Sequence, residues 1–307
     1  MIPDATRSAV APFHEWSTWF RVTGDLDSGV TPLVVVHGGP GATHDYLLSI
    51  ARLALEGRPV IHYDQLGSGA STHLPGEEPG FWTVELFLEE LDNLLRHLGV
   101  RDDYHLLGQS WGGMLAAEHA VLQPAGLRSL VLSNAPASME LWLEGAKVLR
   151  AALPEGPREA LDRHEARGTT DDPEYLAAVQ HYYDRYVCRV VPNPPEVERT
   201  NRLLAQNPIV YQSMFGPNEF TCNGTLHDWS VVERAHRIVA PTLLITGRYD
   251  EATPETVQPF LERIADVRWE YFEGSSHNPF VEEPERYRAV VRNFLDVQDP
   301  GSGEGRR

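Results

Sequence analysis

The chain has 307 residues, 42% of them hydrophobic and 23% charged, enough to bury a large core in one domain with an insertion. Its formal net charge of -18, from 44 acidic against 26 basic residues with Lys147 the one lysine, argues against nucleic acid or an anionic membrane as partner. No apolar run approaches the roughly 18 residues of a membrane span, and Met1 to Phe20 lacks a basic region followed by an apolar core, so a cytoplasmic location is expected.

In chain order, the first clear strand is the apolar run Pro32 to Val36, which opens into His37-Gly38-Gly39-Pro40-Gly41. Glycine lets main chain approach a substrate closely, so the Gly39 amide is an expected donor to a developing oxyanion. The stretch lacks both G-x-G-x-x-G and the Lys-Ser/Thr ending of a phosphate loop. A second strand, Val60 to Tyr63, leads into Asp64-Gln65-Leu66-Gly67-Ser68-Gly69, where Asp64 is expected to tie its loop down by accepting backbone hydrogen bonds. Helical spacing covers Val84 to Leu98.

Tyr104 to Leu107 reads as a strand running directly into Gly108-Gln109-Ser110-Trp111-Gly112 and then a helical run, Met114 to Leu122. Strand, G-x-S-x-G, helix is the pattern of a nucleophile elbow, with Ser110 the nucleophile and the Trp111 amide the second oxyanion donor. The next strand, Ser129 to Leu132, ends in Ser133-Asn134-Ala135, and Asn134 cannot supply a charged acid. From about 139 to 236 strand alternation is absent and helical apolar spacing takes over, as in Leu141-Trp142, Val148-Leu149 and Leu153, with a break at Pro192-Asn193-Pro194-Pro195. This predicts a helical cap over 139–236, inserted into a core of 1–138 and 237–300, with a disordered tail over 301–307.

Strand signals resume at Pro241 to Thr246, followed by Gly247-Arg248-Tyr249-Asp250, which places Asp250 on a loop past a strand's carboxyl end. Its neighbour Glu251 is a possible substitute, but one residue along points elsewhere. The strand Val267 to Phe272 runs into Gly274-Ser275-Ser276-His277, with a helix near Pro284. A serine needs a base to take its proton, and the order Ser110, Asp250, His277 suits this architecture. His37, His62, His97 and His105 lie in a turn, in strands or on a helix, and none occupies that last loop. The alternation predicts an α/β fold: a mostly parallel sheet with helices on both faces. Cys188 and Cys222 are expected to be free thiols; no metal-ligand spacing or cofactor motif is present, and the oligomeric state is left open.

The glycine-rich loop, the Asp64 to Gly69 stretch, the elbow and the Asp250 and His277 loops together resemble the proline iminopeptidases and related aminopeptidases of the α/β-hydrolase fold, over nearly the whole chain. The segment Gly216-Pro217-Asn218-Glu219-Phe220-Thr221 is similar to a stretch of the tricorn-associated members. The resemblance implies that Glu219 and Glu251 bind the substrate's free α-amine, with Tyr211 and Trp229 as candidate pocket residues. It implies short peptides or small aminoacyl compounds as substrates, proline and other apolar residues being released. An amino-acid amidase, esterase or acyltransferase would use the same triad. A silent binding protein is the alternative of another class, opposed by the intact Ser110, Asp250 and His277. A dehalogenase or epoxide hydrolase would carry aspartate where Ser110 stands.

Overall fold

In a computed structural model describing residues 2–299, the apolar runs become strands of one sheet; the tail expected to be disordered over 301–307 lies outside the described residues. The strands are Arg7–Phe13 (β1), Trp16–Thr23 (β2), Leu33–Val36 (β3), Val60–Tyr63 (β4), Tyr104–Gln109 (β5), Leu127–Ser133 (β6), Thr242–Gly247 (β7) and Val267–Phe272 (β8). Their order across the sheet is β1-β2-β4-β3-β5-β6-β7-β8. From β4 to β8 the pairs are parallel, while β1 with β2 and β2 with β4 are antiparallel.

The β1–β2 hairpin is a departure from the reading above, which begins its strands near Thr31. β1 lies at the sheet's edge with most residues of its first half exposed, so its composition carries no continuous apolar run. By contrast β3, β4, β5 and β7 are buried along their full length, as parallel strands covered on both faces must be. Successive side chains point to opposite faces. Val34, Val36, Leu106, Leu130 and Leu132 therefore join one apolar core, while Leu33, Val35, Leu107, Val131 and Leu243 join the other.

The helices that cover these faces are Val84–Leu98 (α1) and Trp111–Val121 (α2), then Pro254–Arg263 (α8), Pro279–Glu282 (α9) and Pro284–Asp296 (α10). α1 starts at Thr83, whose hydroxyl accepts the Leu86 N–H, and stops at Gly99 in a left-handed conformation. α2 is buried on all sides, which is why its sequence has no polar face. Between β6 and β7 the chain inserts Met139–Ala151 (α3), Glu155–Arg167 (α4), Pro173–Tyr186 (α5), Pro195–Gln206 (α6) and Ile209–Met214 (α7). These helices carry their own apolar cluster, built on Leu161, Tyr175, Tyr182 and Phe220. The loops after β3, β5, β7 and β8 all leave the carboxyl edge of the parallel sheet, and they carry Gly39, Ser110, Asp250 and His277. Among the described residues no helix is long and apolar enough to cross a membrane.

Candidate active site

Ser110 joins β5 to α2 with φ 55 and ψ -124, a left-handed backbone that a non-glycine residue holds only when its surroundings enforce it. A Cβ on Gly108 would run into the Gly112 carbonyl, and one on Gly112 would run into the Val36 carbonyl, so both flanking glycines are required by contact. Trp111 is the first residue of α2. At that position the N–H has no acceptor within the helix, which leaves it free to face developing charge.

His277 Nδ1 is 2.7 Å from Asp250 Oδ1. The Asp250 carboxylate also accepts hydrogen bonds from the Ala252 N–H (2.9 Å), the Gly247 N–H (3.3 Å) and Asn134 Nδ2 (2.5 Å). So many donors fix its orientation. With Nδ1–H directed at Asp250, the other ring nitrogen, Nε2, is the one able to take a proton from Ser110. Asn134 thus holds the acid in place although it cannot replace it. The rival His37 is fully engaged: Nδ1 faces the Gly38 carbonyl at 2.9 Å, Nε2 accepts the Gln65 N–H at 3.0 Å, and burial depresses its pKa to about 4.

A network ties the oxyanion side of the site to the elbow. Gln65 donates from Nε2 to the His37 carbonyl (2.8 Å) and accepts the Trp111 indole N–H at Oε1 (2.8 Å). Tyr46 accepts the Gly38 N–H (2.7 Å) and donates its hydroxyl to Gln109 Oε1 (2.5 Å). Gln109 Nε2 in turn donates to the His277 carbonyl at 3.2 Å. Asp64 accepts the backbone N–H groups of His44 and Ala70, each at 2.9 Å, in the loop-fastening role expected of it.

Ser110, His277, Gly39, Tyr46 and Gln109 open onto a cavity of about 380 Å³ whose other walls come from α5, α6 and α7 and the loop beyond. Glu219 and Glu251 line it too. Tyr211 donates its hydroxyl to Glu219 Oε1 at 2.8 Å, which fixes one carboxylate. Glu251 is 1% exposed, and neither of its oxygens receives a close hydrogen bond among the described residues, the Tyr182 hydroxyl giving its ionised form only partial support. Its Oε1 lies 3.8 Å from His277 Nε2. Burial, and after it the charges of Glu219 and Asp250, raise the Glu251 pKa well above the ordinary range. Burial raises that of Glu219 as well, against the Tyr211 hydrogen bond and the nearby His277.

A model of the alpha/beta hydrolase fold matches residues 31–284. The proline iminopeptidase of Lactobacillus helveticus is 38% identical over 291 residues, covering 94% of this chain and 97% of that protein. The chain belongs to the proline iminopeptidase family of α/β-hydrolases. Two solved structures agree with this. A crystal structure of VinJ matches with a TM-score of 0.95 at 53% identity, covering 96% of this chain and 100% of that one. A crystal structure of the proline iminopeptidase of Mycobacterium smegmatis matches with a TM-score of 0.89 at 51% identity, covering 95% and 98% respectively.

Within this serine hydrolase of the iminopeptidase family, six of the nine residues expected at the site line the cavity, namely Gly39, Ser110, Tyr211, Glu219, Glu251 and His277, while Asp250 stands behind His277 and Trp111 follows Ser110. Trp229 is not among them. Its ring is buried in the core and its indole N–H is bonded to Glu118 Oε1 at 2.9 Å, with Arg234 closing the other side of that carboxylate. It serves packing, as an aromatic residue with one polar handle commonly does. Both cysteines are free and buried; Cys188 lines the cavity. One histidine and carboxylate group with metal-like spacing, His164 with Asp172 and Glu174, occurs on α4 and α5 among the described residues. None of the three lines the cavity, and Arg163 already pairs with Glu174 at 2.6 Å.

Glu282 and Glu283 escape the sequence reading. The Glu282 carboxylate accepts the Ser276 N–H (2.5 Å) and the Arg189 N–H (2.6 Å), and the Ser276 hydroxyl is 2.7 Å away. Glu283 accepts the Gly274 N–H (3.1 Å) and the Ser275 hydroxyl (2.6 Å). The histidine loop of the hydrolase is therefore clasped by two adjacent carboxylates, and it also meets α5, whose Tyr186 carbonyl accepts the His277 N–H at 3.2 Å. A consecutive glutamate pair five and six residues after His277 was the available signal.

Proposed function

We propose that this hydrolase is an aminopeptidase that releases the N-terminal residue, proline and other apolar residues included, from short peptides or aminoacyl amides. The inserted helices over 139–236 act as a cap over the core. The observation that carries this reading is the pair Glu219 and Glu251 in the cavity that holds Ser110 and His277: Glu219 half-buried and held by Tyr211, Glu251 buried with no close hydrogen bond to either oxygen among the described residues. A buried carboxylate so placed is costly unless a cation completes it. A protonated terminal amine completes it, and an internal peptide bond does not.

The substrate's ammonium enters between Glu219 and Glu251, with Tyr211 holding Glu219, and Glu251 releases its proton to solvent through the open cavity as the cation arrives. Ser110 Oγ attacks the first carbonyl carbon as its proton passes to His277 Nε2, and the amides of Gly39 and Trp111 receive the oxyanion. His277 then gives that proton to the leaving amine, and a water activated by the same nitrogen releases the amino acid from Ser110. A panel of aminoacyl nitroanilides and amides, free and N-acetylated, run beside simple esters, tests this. Turnover confined to free amines is expected; good ester hydrolysis with no aminoacyl turnover would overturn it in favour of an esterase.

A further inference from the structure

We infer that the leaving-group side of this cavity rejects a carboxylate close to the scissile bond, so that aminoacyl amides, amine conjugates and longer peptides are the substrate class and free dipeptides are disfavoured. The inference rests on the aminopeptidase reading above and adds to it the identity of the second half of the substrate.

Its basis is the charge inventory of the walls. Asp184, Glu219 and Glu251 line the cavity, and among the described lining residues none is lysine or arginine. The substrate's single ammonium offsets only one negative charge of the Glu219–Glu251 pair and none of that on Asp184, so the walls stay negative when the amine is bound. Asp184 accepts Gln180 Nε2 at 2.7 Å, a neutral partner that leaves its charge in place. The nearby cations are committed elsewhere. Arg185 lies over the Tyr186 ring, Arg189 stacks on Tyr249 and donates to the Gly274 carbonyl, and Arg199 pairs with Asp45 at 2.9 Å. Arg202 is exposed on α6 and takes no part in the lining.

Backbone dipoles add to the same sign. The carbonyl end of α5 faces the histidine loop, with the Tyr186 and Val187 carbonyls directed at the His277 N–H and the Ser276 hydroxyl. The start of α6 would carry the opposite sign, but Pro195 removes one of its N–H groups and Glu196 and Glu198 stand in its first turn. The remaining polar lining contributed by the inserted segment is neutral, the amides of Gln180, Asn193, Asn201 and Gln212, with Leu204 among the apolar residues.

A dipeptide cannot take its carboxylate out of this field. The carboxyl carbon stands two bonds from the leaving nitrogen, roughly 2.5 Å away, whereas each added residue carries the carboxylate up to about 3.5 Å further. Capping it as an amide removes the charge without changing the length.

The test compares kcat/KM for Pro-Gly and Pro-Gly-NH2, with Pro-Gly-Gly as an intermediate, on wild type and on Asp184→Asn. Wild type is expected to favour the amide over the free dipeptide by about tenfold or more, with the tripeptide between, and Asp184→Asn to shrink that ratio severalfold. Equal rates on dipeptide and amide would overturn the inference while leaving the aminopeptidase reading intact. An unchanged ratio in Asp184→Asn would overturn the charge assignment. Absence of turnover on all three, with good ester hydrolysis, would instead sink the underlying reading and this inference with it.

Discussion

Replacing Glu251 with glutamine should make the protein more stable while making the enzyme worse. The carboxyl is 1% exposed, receives no close hydrogen bond among the described residues, and is opposed by the charges of Glu219 and Asp250, which outweigh the support of the Tyr182 hydroxyl. In the folded chain it therefore keeps its proton well above the value of about 4.5 at which the unfolded chain releases it. Above that pH the unfolded state binds fewer protons than the folded one, so stability falls as pH rises towards the folded pKa. Below it, both states hold the proton and the penalty vanishes. An unpaired buried charge costs about 1–3 kcal/mol or more, and in a chain of this size each kcal/mol is worth roughly 2 °C of melting temperature. Glu251→Gln is thus expected to raise Tm by about 2–6 °C near pH 8 and by almost nothing near pH 4. Thermal unfolding followed by circular dichroism across this range measures it. A Tm difference independent of pH would refute the reasoning, since the effect of an amide on packing does not titrate. On the same preparations, kcat/KM for free-amine substrates should fall at least tenfold.

Ser110→Ala should lower turnover by several powers of ten with an unchanged melting temperature; more than a tenth of wild-type activity would remove Ser110 from the nucleophile's role. Glu219→Gln should cost free-amine substrates roughly 1.5–3 kcal/mol of transition-state binding and leave N-acetylated analogues where they were; equal losses on both would make Glu219 a structural support for its loop. Gln65→Leu takes away both the acceptor of the Trp111 indole N–H and the donor to the His37 carbonyl, so kcat is expected to fall about 10- to 100-fold with KM nearly constant. A rise in KM alone would mean the link serves substrate binding.

The sheet and the loops that carry Ser110, Asp250 and His277 were legible in the sequence because both rest on local signals. Val60 to Tyr63 and Val267 to Phe272 are short apolar or aromatic runs next to turn residues, and the elbow is one contiguous pentapeptide in which the Gly108 requirement comes from Gly112 itself, although that of Gly112 comes from the distant Val36 carbonyl. The β1–β2 hairpin was not legible, since Arg7–Phe13 alternates weakly and gains its meaning from pairing with Trp16–Thr23 and, through that strand, with β4. Trp229 was misplaced for the complementary reason. An aromatic residue in a helical insertion can face either the cavity or the core, and only Glu118, more than a hundred positions away, decides it. Asn134 was judged solely as a candidate acid, although its amide is what steadies Asp250; that role depends on β6 lying beside β7. Asp184 and the Glu282–Glu283 pair were hidden among 44 acidic residues, where composition favours a solvated surface.

The bond from the Tyr186 carbonyl to the His277 N–H bears on how this protein can change. Recombination that exchanged the inserted helices between relatives would ordinarily be viewed as trading specificity on a constant engine. Here the exchanged piece would bring its own anchor for the His277 loop, through Tyr186, Val187 and Arg189, and Glu282 on the recipient side would have to match it. Chimeras should therefore lose rate on every substrate together unless the junction at the end of α5 is inherited along with the histidine loop. Selection on what the cavity accepts would then drag the setting of His277 with it, making selectivity and speed one evolving trait.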